Sequence, residues 1–123
     1  MENYQCHITI NNRTTERLRL VRTDLPWGRF RDGPVPEIGP KEERKAFVAT
    51  GSIGPAGTEG TVVYQLGDDT DVTVSVYFDI PTRPFSRNTV TADASDEDVS
   101  AKVDGLNGGG ATESCTIRVI DGR

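Results

Sequence analysis

Long apolar runs are absent from this sequence, and with them any helix able to span a bilayer, which needs about 18 or more consecutive apolar residues. Histidine, tryptophan and methionine occur once each and cysteine twice. One imidazole and two thiols are too few to converge as a zinc site. His7 stands beside Cys6 with no Ser or Asp motif near it, so it reads as a strand residue on a wet face rather than as part of a catalytic triad. Basic residues are in deficit: the formal charge is −5 and the pI about 4.8. That excludes the dense cationic face that displaces counterions from a nucleic acid. The deficit falls on the second half, where residues 62–123 hold five Lys or Arg against eleven Asp or Glu. Most of those acids lie in turns, where they favour solubility. The turn Asp93 to Asp98 imitates a calcium loop but has Asp98 and Asp104 where an EF-hand needs glycine and glutamate. The glycines of 105–110 precede no helix and follow no phosphate-binding pattern. Asp79 alone among the acids lies in an aromatic setting that could raise a carboxyl pKa. The expectation is a non-enzymatic protein with no cofactor and no metal.

The N-terminus Met1-Glu2-Asn3-Tyr4-Gln5 has neither a basic region nor an apolar one, so it reads as a soluble chain without a conventional export signal. That implies cytoplasmic accumulation or non-classical release. At 123 residues the chain fits one domain, 1–123.

Alternation is what the sequence has in plenty. Val72, Val74, Val76 and Phe78 alternate with Thr73, Ser75, Tyr77 and Asp79, the period of a strand with one buried face. Thr61 to Leu66 is rich in β-branched and aromatic residues, and Gly67 to Asp71 between the runs is turn chemistry, so the two pair as a hairpin. Tyr4 to Ile10 and Glu16 to Arg22 read as a second hairpin closed by Asn11-Asn12. Thr23 to Pro40, with four prolines and three glycines, reads as a long loop containing a short strand at Trp27-Gly28-Arg29-Phe30. Further strands are expected at 41–49, 86–92, 99–104 and 113–120. Eight to ten short strands and no convincing helix predict an all-β antiparallel sandwich.

Cys6 and Cys115 fall on the core-facing alternation of the first and last strands. They are expected side by side, either as a disulfide or as a buried thiol pair. Phe78 and Phe30 are placed inside by alternation. Trp27, Tyr77 and Phe85 lie in or beside proline-rich segments where packing does not dictate an aromatic. Such residues suit a bilayer interface or a sugar face. Beside them, Arg83 suits a phosphate headgroup and Asp79 an amine or choline.

With these residues in view, the chain resembles the aegerolysins, and among them the small component of bacterial two-component insecticidal proteins. The resemblance rests on His7-Ile8-Thr9-Ile10-Asn11-Asn12, Trp27-Gly28-Arg29-Phe30, Phe47-Val48-Ala49, Gly57-Thr58-Glu59-Gly60-Thr61, Tyr77-Phe78-Asp79 with Pro81, and Thr116-Ile117. It implies a β-sandwich that recognises membrane lipids and acts with a larger pore-forming partner. Trp27 and Tyr77-Phe78-Asp79 correspond to the family's lipid-contacting region. Fungal members carry further tryptophans where this chain has Tyr4 and the 82–85 loop, and their lipid-binding glutamate does not align cleanly with Glu59. The expected site is therefore Trp27, Tyr77, Asp79, Arg83 and Phe85, on a monomer or weak homo-oligomer that docks on a lipid headgroup and recruits its partner. The rival expectation is a lectin that stacks a sugar on Trp27.

Overall fold

A computed structural model describes residues 4–52, 56–68, 72–82 and 86–123. Ten strands form two five-stranded sheets: β1 Gln5–Asn12, β2 Leu18–Trp27, β3 Arg29–Asp32, β4 Glu37–Ile38, β5 Glu43–Thr50, β6 Thr58–Leu66, β7 Thr73–Ile80, β8 Thr89–Ala94, β9 Val99–Asp104 and β10 Thr112–Asp121. One sheet has the order β3-β5-β1-β10-β9 and the other β4-β2-β6-β7-β8. The expected β-sandwich is present, and no helix occurs among the described residues. All pairings are antiparallel except β1 with β10, which run parallel.

Period-2 alternation builds the core. Cys6, Ile8 and Ile10 of β1, Val74, Val76, Phe78 and Ile80 of β7, and Ile117 and Val119 of β10 point inward and are buried. Phe47 lies among them, its ring centroid 5.5 Å from both Phe30 and Phe78. The terminal strands adjoin, in the register Cys6 to Glu113 and Ile8 to Cys115. Both thiols are buried and unbridged. Burial raises the pKa of each, Cys6 also through the neighbouring Cys115, and that of Cys115 is pushed up to about 12.

Two expectations about the first third of the chain are corrected. β1 and β2 are not a hairpin; they lie in different sheets. Asn12 makes the turn a crossing. It is fully buried, its amide donates to the carbonyls of Glu16, Ile38 and Gly39 at 2.8, 3.3 and 3.0 Å, and its Oδ1 accepts from the Thr14 N–H and hydroxyl at 3.1 and 2.8 Å. Five hydrogen bonds satisfy a buried amide while turning the chain out of one sheet and into the other. The stretch 23–40 is likewise less of a loop than its prolines suggest, since β2 runs on to Trp27 and β3 and β4 follow. β4 pairs only Leu18 and Arg19, so Pro26 sits farther along the strand, where no ladder partner on that side requires its missing N–H.

The topology sorts the connections by end. β2–β3, β5–β6, β7–β8 and β9–β10 all leave from the end where Trp27, Thr50, Thr58, Ile80, Thr89 and Thr112 lie. The sequences making these connections, 28, 51–57, 81–88 and 105–111, contain no Asp or Glu. The opposite end gathers Glu16, Glu42, Asp68, Asp96, Glu97 and Asp98. The connections at one end are thus acidic and those at the other acid-free, although Glu59, Asp79 and Glu113 stand on the strands beside them.

Candidate functional site

The site forms where β2 turns over into β3 at the acid-free end. Gly28 makes this turn with φ +92°, and a Cβ there would collide with the Thr50 carbonyl oxygen and the Thr58 hydroxyl. Only glycine fits. The turn leaves Trp27 at the tip of β2 with 66% of its surface exposed, more than any other large hydrophobic residue described. The Thr58 hydroxyl donates to the Trp27 carbonyl at 3.1 Å, so the backbone beneath the indole is fixed.

Register then sets Trp27 opposite Glu59, and Glu59 opposite Asp79. With strands about 4.8 Å apart, the indole and two carboxylates form a row of about 10 Å on one face of the sheet. Gly60 lets β2 and β6 come this close, because a Cβ there would press on Leu25 Cδ1 at 2.6 Å and the Asp24 carbonyl at 2.7 Å. Tyr77 lies diagonally behind the row, half-buried, and its hydroxyl donates a very short hydrogen bond to Glu59 Oε2. That bond, with some burial, pushes the Tyr77 pKa up to about 12. Tyr77 thus holds one Glu59 oxygen in place. A cavity of about 510 Å³ opens here, lined by Trp27, Gly57, Glu59, Asp79, Pro81 and Thr82 among others.

The structure therefore brings together three of the residues singled out in the sequence, Trp27, Tyr77 and Asp79. Arg83 and Phe85 lie outside the described residues. Glu59 was missed. The available signal was its place among the outward positions of β6, facing away from the buried Thr58 and Gly60, but pairing it with Trp27 and Tyr77 requires the register of two strand pairs. His7 does lie on an outer face, its Nε2 2.9 Å from Gln5 Oε1. Burial, Lys45 and Arg31 lower its pKa.

In chemical terms, an indole face beside two carboxylates, one of them oriented by a phenol, has the groups that attract a cation. A quaternary or primary ammonium gains from the aromatic face and from both carboxylates.

Solved structures share the fold, three of them as follows. RahU, crystallised in complex with a Tris molecule, matches with a TM-score of 0.73 at 17% identity over 96% of this chain and 95% of that one. Nakanori, described as a lipid-binding protein, gives 0.77 at 13% over 97% and 72%. IP-1A from Alcaligenes faecalis gives 0.69 at 20% over 98% and 92%. At these identities the likeness concerns the fold. No curated protein sequence matches the chain. The Aegerolysin family model matches residues 3–122, and the chain belongs to that family.

Proposed function

We propose that this protein is a membrane-lipid recognition module that takes the ammonium of a lipid headgroup between Trp27, Glu59 and Asp79. The observation that carries this reading is the row itself: the most exposed large apolar side chain described stands in register with two carboxylates at the end whose connections hold no acid. Connections without acid let this end approach a membrane surface with less repulsion than the opposite end, whose connections are acidic. Trp27 enters the interface, where an indole suits both the apolar interior and the wet headgroup layer. Glu59 and Asp79 then select for positive charge. The lipid-binding description of Nakanori, a shared fold and the family support the same reading.

Among the described residues no helix is long and apolar enough to cross a membrane. The second half of the proposal, which rests on the family, is that this protein serves as the targeting component of a two-component, insecticidal pore-forming toxin, whose larger partner perforates the membrane.

Glu59→Gln and Asp79→Asn test the headgroup half. Each keeps the side chain's shape and removes its charge, so binding to vesicles of phosphatidylethanolamine or phosphatidylcholine weakens about tenfold relative to the parent. Unchanged binding by both variants would mean that the row does not read an ammonium. Binding to a glycan array without binding to vesicles would make Trp27 a sugar platform instead.

A further inference from the structure

The acid-free end holds a second feature, apart from the Trp27 row. Leu106 is 42% exposed in the glycine-rich connection from β9 to β10. Glycine-rich surface loops ordinarily have little to fix them, yet this one is fastened from within. Glu113, fully buried on the inner face of β10, accepts from the Asn107 N–H at 2.7 Å and from the Gly108 N–H at 2.7 Å. The same carboxylate accepts from Asn88 Nδ2 at 3.2 Å. Asn88 is buried too; its backbone N–H donates to the Gly108 carbonyl at 2.9 Å and its amide to the Gly110 carbonyl at 3.1 Å. One buried carboxylate thus ties the entry into β8 to the loop that carries Leu106. The neighbouring exposed Arg87 lays its guanidinium over Gly108, Nη2 standing 3.0 Å from where a Cβ would be. Gly108 has φ +87°, a backbone conformation that favours glycine.

Fixing a buried acid among backbone N–H groups, in order to hold an exposed leucine and an arginine on a glycine loop, makes sense if the loop must present them in a set geometry. Neither Val21 nor Ile120, the other exposed aliphatics described, has this support; both sit within strands, away from this end. We infer that Leu106 and Arg87 form a second lipid contact, in which Leu106 enters the bilayer interface and Arg87 meets lipid phosphate, with Glu113 as the positioning residue. The inference rests on the lipid reading above and adds an orientation to it. Two contacts at the same end, one at the tip of β2 and one at the segments leading into β8 and β10, fix the long axis of the sandwich upright on the membrane. They also divide the work, since an arginine on phosphate strengthens binding to every phospholipid alike, whereas the Trp27 row discriminates among headgroups.

The test labels Leu106→Cys with an NBD fluorophore under native conditions, where Cys6 and Cys115 are buried, and checks by mass that one label is present. The labelled protein is mixed with vesicles containing phosphatidylethanolamine, ceramide phosphoethanolamine, sphingomyelin and phosphatidylcholine, and both pelleting and emission are read. The inference requires that the protein pellets and that the NBD emission brightens and shifts to the blue, while a label at Asp96→Cys on the opposite end does neither. Pelleting with no change at position 106 would overturn the second contact and leave the Trp27 site standing. Failure to pellet would remove the lipid reading and this inference with it. Arg87→Gln is expected to lower affinity about fivefold for every phospholipid headgroup; loss confined to one headgroup would contradict its role. Glu113→Gln offers an amide to two N–H donors, so it is expected to shrink the NBD change while leaving headgroup preference intact. If that variant does not fold, Leu106→Ser carries the test: vesicle binding falls with no change in melting temperature, and unchanged binding would count against the inference.

Discussion

Replacing Trp27 with alanine separates a binding role from a packing role. A tryptophan side chain offers roughly 150–250 Å² for burial, and 66% of this residue's surface is exposed. About 100–165 Å² therefore remains to be covered by a membrane, worth roughly 2.5–4 kcal/mol at full insertion and about half of that for shallow insertion. The expected loss of vesicle affinity is about 10- to 30-fold. On the side of stability, little is removed. The anchoring bond from Thr58 reaches the Trp27 backbone, which alanine retains. A surface substitution of this kind costs about 0.5 kcal/mol, or some 2 °C in melting temperature for a chain of this size. Isothermal titration with vesicles and a thermal melt on the same preparation give both numbers. Undiminished affinity, or a melting temperature lowered by about 10 °C, would refute the reasoning, the second because it would place the indole in the core.

Three further outcomes follow from the same structure. Tyr77 has its pKa raised to about 12 by donating to Glu59, so its stabilising contribution is complete below the unfolded value of about 10 and is lost as pH rises through 12; the stability gap between the parent and Tyr77→Phe, measured by urea unfolding, is expected at pH 9 and gone above pH 12, and a pH-independent gap would show that the bond to Glu59 contributes nothing. Asn12→Ala strips hydrogen bonds from buried carbonyls and an N–H at the crossing between the sheets, costing roughly 3–5 kcal/mol; a chemical-denaturation loss under about 1 kcal/mol would mean that water replaces the amide. Cys6 and Cys115, buried and with raised pKa values, are expected to resist alkylation in the native protein and to react together on unfolding, whereas rapid native labelling would show an open edge between β1 and β10.

Alternation made much of this fold readable. β7, β9 and β10 stand within a residue or two of where the pattern of Val74 to Phe78, Val99 to Asp104 and Glu113 to Ile120 sets them, and the β6–β7 hairpin follows from its turn chemistry. The same pattern could not say which strand lies beside which. Asn11-Asn12 has the composition of a hairpin turn, but Asn12 finds its partners at Ile38 and Gly39, far along the chain, and so directs β2 into the other sheet. The site divides in the same way. Trp27, Tyr77 and Asp79 were visible because an aromatic in a proline-rich segment, or an acid beside one, is unusual on local grounds. Glu59 became visible only when the register across β2, β6 and β7 set it between Trp27 and Asp79 and under the Tyr77 hydroxyl. The role of Glu113 was hidden for a related reason: in sequence it is one acid at the start of a strand, and only folding encloses it with the amides of 107 and 108.

The central claim is that the row of Trp27, Glu59 and Asp79 reads the charge of a lipid headgroup. Co-sedimentation of the parent protein with vesicles of phosphatidylcholine, sphingomyelin, ceramide phosphoethanolamine or phosphatidylglycerol, each with and without sterol, tests it most directly. The account predicts tighter binding to one or more of the ammonium-bearing lipids than to phosphatidylglycerol, whose headgroup lacks a cation. Binding to phosphatidylglycerol alone, or to no lipid in the series, would contradict it.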